Sequence, residues 1–99
     1  MVYELVRLTV DSERTEEYES TLDHAKSLIA SIPGFISLEL CRSIENRETG
    51  YILLIVWETI EAHLEGFLKS SVVDEWRQLV VPFYTEKPSA EHFEVVVKT

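Results

Sequence analysis

Residues 35–57, FISLELCRSIENRETGYILLIVW, decide the fold. Ile36, Leu38 and Leu40 alternate with Ser37, Glu39 and Cys41, the period of two that puts apolar side chains on one face of a β-strand. Residues 43–50 (SIENRETG) are polar and turn-forming. Residues 51–57 (YILLIVW) are apolar at both parities, which predicts a strand flanked on both sides within its sheet. Strand, turn and strand at this spacing make an antiparallel hairpin.

Moving toward the N-terminus, Pro33-Gly34 ends whatever precedes the hairpin, because Pro disfavours helical geometry in the residue before it and Gly accepts positive φ. Tyr18, Leu22, Ala25, Ile29 and Ile32 recur at intervals of four, three, four and three, one stripe of an amphipathic helix. Asp11-Ser12 offers a cap for it, with Glu13, Glu16 and Glu17 near the positive end of its dipole. Residues 2–10 (VYELVRLTV) read as a strand on Val6, Leu8 and Val10. Beyond the hairpin, Thr59 can cap a short helix carrying Ala62, His63 and Phe67. Ser71 and Asp74 resemble a capping box for a third helix with Val72, Trp76, Leu79 and Val80 on one side, ended by Pro82. A polar linker containing Pro88 leads to a last strand over residues 92–97 (HFEVVV).

The order strand, helix, strand, strand, helix, strand predicts an α+β, ferredoxin-like split βαβ fold, a four-stranded antiparallel sheet with its helices on one face. Tyr3 and Leu5 then fall on the uncovered face. An apolar sheet face left bare is a liability for a monomer, so the pattern predicts a homodimer joined sheet to sheet.

With 99 residues, 45% hydrophobic and 27% charged, the chain fits one domain, residues 1–99, burying about 60 to 65 per cent of its unfolded surface. Eighteen acidic against nine basic residues give a formal charge of −9, which argues against nucleic acid and anionic membrane partners. The lone Cys41 cannot form an internal disulfide. The first residues lack the basic flank and apolar run of a signal peptide, and no run approaches membrane-spanning length. A cytoplasmic setting is expected.

Pro33-Gly34-Phe35, Trp57-Glu58-Thr59 with Glu61-Ala62-His63, Glu75-Trp76-Arg77 and Glu91-His92-Phe93 occur in an order that resembles the antibiotic biosynthesis monooxygenase family of dimeric ferredoxin-like α+β barrels. The resemblance implies oxidation of a small hydrophobic phenolic or quinol-type substrate by dioxygen without flavin or metal: an electron-rich phenol or enol loses a proton, and its anion reduces oxygen directly. That chemistry asks for an apolar pocket, a proton acceptor and a cation beside the oxyanion. Counting from Trp57, the family's Asn, Tyr and Arg positions fall on Leu53, His63 and Arg77. The Trp and Arg match, whereas Leu53 lacks the amide that would orient a substrate carbonyl.

The resemblance therefore implies Trp57, His63 and Arg77 as the catalytic set, with His63 taking the proton and Arg77 stabilising the anion. Leu53, Phe67, Val73 and His92 would contact substrate, Trp57 and Phe67 forming walls. The bland readings are a core Trp57, a core-edge His63, an ion-paired Arg77 and a structurally hydrogen-bonded His92. At the positions of the haem-degrading branch stand Val6, Phe67 and Arg77, with no axial imidazole, so no haem is expected. The sequence spacing of the three histidines does not suggest zinc, Cys41 has no activating neighbour, and no cofactor or metal is expected. A phosphosugar isomerase using Arg7, Arg42 and Arg77, and a non-catalytic binding or stress-response module, are the rival readings.

Overall fold

A computed structural model describes all 99 residues. Strands β1 (Val2–Thr9), β2 (Phe35–Arg42), β3 (Gly50–Trp57) and β4 (Ser89–Phe93) form one antiparallel sheet in the order β2-β3-β1-β4. Helix α1 (Thr15–Ala30), a π-helical segment (Ala62–Phe67) and α2 (Val72–Val80) connect them, and a 3-10 turn (Val81–Phe83) follows α2. This is the ferredoxin-like arrangement, with β3 and β1 central, as the apolar run 51–57 predicts.

The expected stripe of α1 is buried, with Tyr18, Leu22, Ala25 and Ile29 packing on the sheet and Ile32 just beyond it. They meet Leu8, Val10, Tyr51, Leu53, Ile55 and Trp57 from the inner sheet face and Phe67, Val73, Trp76 and Val80 from the later helical segments. The start of α1 differs from expectation. Asp11 Oδ1 accepts from the Glu13 N–H at 3.0 Å, closing its own turn, and the helix begins at Thr15 with no side-chain cap.

Local geometry sets four further features. An irregularity between Phe35 and Ser37 inserts one residue against β3, so that Phe35, not Ile36, joins Leu38 and Leu40 on the inner face; Ile36 is exposed. Thr59 Oγ1 accepts from the Ala62 N–H at 3.2 Å, but the segment it opens is π-helical, with the Leu68 N–H donating to the His63 carbonyl at 2.9 Å. Ser71 is already helical, φ −66° and ψ −20°, and its hydroxyl forms no cap, so the expected capping box is absent. The buried stripe of α2 is Val73, Trp76 and Val80, which turns Leu79 out to solvent.

The last strand occupies 89–93 rather than 92–97. Phe93 pairs with Tyr3, and β1 has no residues left for 95–97 to pair with. No helix is long and apolar enough to cross a membrane. The outer sheet face has no helix over it, and Tyr3, Leu5, Leu54 and Phe93 line a shallow apolar depression there with Val95.

Candidate functional site

Between the inner sheet face, the π-helical segment and α2 lies a cavity of about 330 Å³, the size range of small-molecule sites. Its apolar lining includes Val6, Leu53, Ile55, Phe67, Val73, Trp76 and Val80, and its polar lining includes Glu4, His63, Arg77 and Lys87. A larger recess of about 500 Å³ beside the β2–β3 turn is lined by Arg7, Arg42, Ser43, Glu45 and Asn46. It contains no histidine, and its Arg42 is tied to Glu19, so the smaller cavity holds the convergent chemistry. Arg7 and Arg42 face that recess while Arg77 faces the other cavity, so the three cations weighed for a phosphate site do not meet.

Glu4 is the polar residue at the inner end of the cavity. It shares the inward parity of Val6 and Leu8 on β1 and is 5% exposed. Its Oε1 accepts from the Trp57 indole N–H at 3.0 Å, and its Oε2 lies 3.4 Å from His63 Nε2. His63 Nδ1 in turn lies 2.8 Å from His92 Nε2. In the tautomer with its proton on Nε2, a neutral His63 turns that N–H toward Glu4 and accepts at Nδ1 from His92.

Two aromatic neighbours hold His63 in place. Its ring lies nearly parallel to Trp57, with centroids 5.4 Å apart, and to Phe67 at 6.1 Å. Removal from water pushes the imidazole down to about 4, reinforced by repulsion from His92. The same removal from water raises the Glu4 carboxyl, against the hydrogen bond from Trp57 and the attraction of His92. Burial therefore moves the two groups in opposite directions, the carboxyl up and the imidazole down.

The expected site residues separate into three groups. Leu53, Phe67, Val73, His63 and Arg77 all line the cavity. Arg77 is exposed at its mouth and forms no ion pair, leaving the guanidinium free for a ligand. Trp57, with 0% exposure, does not line the cavity. It ends β3 opposite Val2 and Phe35, and its indole reaches under Glu4, so it orients the carboxylate and is not a wall. His92 also stands behind the lining; its place opposite Glu4 in the β1–β4 pairing aims it at His63. Glu4 is the residue that the sequence reading missed. The signal was present, a lone carboxylate one period before Val6 on an otherwise apolar parity. His24 and Cys41 are exposed and remote from the cavity lining.

These features define a ferredoxin-like protein with a buried carboxylate–imidazole row beside an apolar cavity that Arg77 also lines. Residues 1–79 match the family model for antibiotic biosynthesis monooxygenases, and the chain belongs to that family. It is 38% identical over 96 residues to the uncharacterized protein YczJ of Bacillus subtilis (strain 168), covering 97% of this chain and 100% of the relative. A crystal structure from Bordetella bronchiseptica, named provisionally as an antibiotic biosynthesis monooxygenase, superposes with a TM-score of 0.90 at 30% identity over 97% of each chain. SnoaB, a cofactor-independent oxygenase from Streptomyces nogalater, shares the fold with a TM-score of 0.82 at 20% identity, over 98% of this chain and 94% of its own.

Proposed function

We propose that the protein is a cofactor-independent monooxygenase that oxidises a small, flat phenolic, quinol or anthrone-type substrate inside this cavity. The observation that carries the reading is the convergence of Glu4, His63 and Arg77 on one apolar cavity. Apolar walls desolvate the substrate's acidic hydroxyl or methylene, and the Glu4–His63 pair accepts its proton. Arg77, unpaired at the mouth, lies where it can attract the resulting oxyanion. The electron-rich anion then reduces dioxygen. One oxygen atom bonds to the ring carbon that becomes a carbonyl, and the other leaves as water with two hydrogens from the substrate, both from that carbon in an anthrone and one each from the ring carbon and the hydroxyl in a phenol, so the substrate supplies the electrons. The likeness to SnoaB supports oxygen chemistry on this fold, while Leu53 in the amide position argues for a different substrate. The free, exposed Cys41 suits a reducing cytoplasm.

Oxygen uptake above the spontaneous rate is expected with members of a quinol and anthrone panel. Glu4→Gln keeps the shape and removes the acceptor, and should lower kcat by about 10²- to 10⁴-fold. Arg77→Ala should raise KM and lower kcat/KM by at least about tenfold. No enzymatic uptake with any member, or uptake untouched by both variants, overturns the assignment and favours the binding-module reading.

The same proposal includes a homodimer through the outer sheet face, which places Tyr3, Leu5, Leu54 and Phe93 of two copies against one another. Phe93 is 45% exposed in the single chain, and no helix of this chain covers that face. Light scattering is expected to give twice the chain mass at micromolar protein, and Leu54→Glu should halve it. A monomeric wild-type protein refutes the dimer.

A further inference from the structure

We propose that Glu4, His63 and His92 form a binding site for one divalent transition-metal ion, with zinc the best match to the ligand set. One carboxylate oxygen and one nitrogen from each imidazole lie within 4.8 Å of one another. Tetrahedral zinc, with bonds of about 2.0–2.1 Å, sets its ligand atoms about 3.3 Å apart, so the widest separation has to close by about 1.5 Å. His63 meets His92 through Nδ1 at 2.8 Å and Glu4 through Nε2 at 3.4 Å, so whichever nitrogen takes the ion, one contact already stands near that spacing and the other partner has to move toward the same nitrogen. His92 is only half-buried on edge strand β4, and its side chain has the freedom to supply the movement.

Three independent features make this a built site. First, the Glu4 carboxylate is removed from water, yet no Lys or Arg bridges to it; its ionic neighbour is a histidine. A buried carboxylate whose basic neighbours are imidazoles rather than Lys or Arg lacks a permanent countercharge, and a divalent ion supplies it. Second, the ligands are oriented from outside. The Trp57 N–H holds Glu4 Oε1, leaving Oε2 turned toward His63, and Trp57 and Phe67 clamp the His63 ring, the kind of outer shell that fixes metal ligands. Third, Glu4 and His63 face the cavity, so an ion held by three protein groups keeps a fourth position open toward it.

The ligands stand at positions 4, 63 and 92, on β1, the π-helical segment and β4. No short spacing announces them, and the pairing of Glu4 with His92 across β1–β4 brings them together. Binding does not require the reaction proposed above. Where that reading does enter, an ion would occupy the same lone pairs that accept the substrate's proton, making zinc an inhibitor.

Equilibrium dialysis of the full chain carrying Cys41→Ser, which removes the exposed thiol as a competing ligand, should take up one zinc per chain at micromolar free metal. Cobalt(II) in its place should give visible d–d bands of a four- or five-coordinate ion. His92→Ala and Glu4→Gln should each weaken uptake at least about tenfold and bleach the bands, with the fold checked by circular dichroism, whereas His24→Ala should change neither. No uptake at micromolar zinc, or uptake that survives both ligand variants, overturns the site. Zinc uptake without loss of oxygen consumption would leave the site standing and overturn the proton-acceptor role instead.

Discussion

Trp57→Ala is expected to destabilise the protein by about 3–5 kcal/mol, and Trp57→Phe by about 1–3 kcal/mol for a different reason. Trp57 has no exposed surface and meets Phe35, His63 and Phe67. Truncation to alanine opens a cavity at the end of the central strand and frees the ring of His63. Phenylalanine fills most of that volume and keeps the aromatic contacts, but removes the N–H that donates to Glu4 Oε1 at 3.0 Å. The carboxylate is then a buried acceptor short of a partner. Because this bond holds the Glu4 carboxyl down against its burial, Trp57→Phe should also push that group further up. Urea unfolding at fixed protein concentration measures both losses. In a Glu4→Leu background the acceptor is gone, and Trp57→Phe should cost little more than its lost packing, giving a coupling of about 1–3 kcal/mol in the double-mutant cycle. A Trp57→Phe protein as stable as wild type, or a coupling of zero, would show that the indole is only packing.

The same residue shows what a linear reading captures and what it does not. Apolar alternation identifies β1 and β2, the unbroken apolar run identifies β3 and the three-four period gives the stripe of α1, because periodicity and burial are properties of neighbouring residues. The family likeness carries across the chain for a related reason, since Pro33-Gly34-Phe35 and Trp57-Glu58-Thr59 mark turns at which the chain changes layer. What escapes is anything set by a single extra residue or by contact between distant elements. The irregularity after Phe35 reverses the parity of its neighbours, and nothing in FISLEL distinguishes Phe35 from Ile36 as the inward residue. The end of β4 depends on where β1 begins, which residues 92–97 do not encode. Trp57, His63 and His92 were all identifiable as notable residues, but their relation to Glu4 was not. A strand register and a π-helical turn create that relation, and with it Trp57 becomes a positioning residue rather than a wall.

Gly34→Ala should lower stability by about 2–4 kcal/mol and Tm by roughly 10–20 °C. Two separable causes act at this position. Gly34 has φ +89°, a conformation that an L side chain adopts only with strain of about 1–2 kcal/mol. A Cβ added there would also lie 2.6 Å from the Cβ of Ala62, which opens the π-helical segment bearing His63. The backbone has little room to yield, because the Gly34 carbonyl accepts from the Glu58 N–H at 2.7 Å. Loss of unfolded-chain entropy on adding a methyl returns only about 0.4–1 kcal/mol. The two causes separate in the double variant Gly34→Ala/Ala62→Gly. Removing the Ala62 methyl abolishes the collision and leaves the φ strain, so the pair should be more stable than the sum of the single losses by about 1–3 kcal/mol. If the single variant melts within about 2 °C of wild type, the close approach of the β2 start to the π-helical segment is wrong. If it is strongly destabilised but shows no coupling to position 62, backbone strain alone sets the requirement for glycine. In that case the junction does not hold His63 in register with Glu4 through this contact.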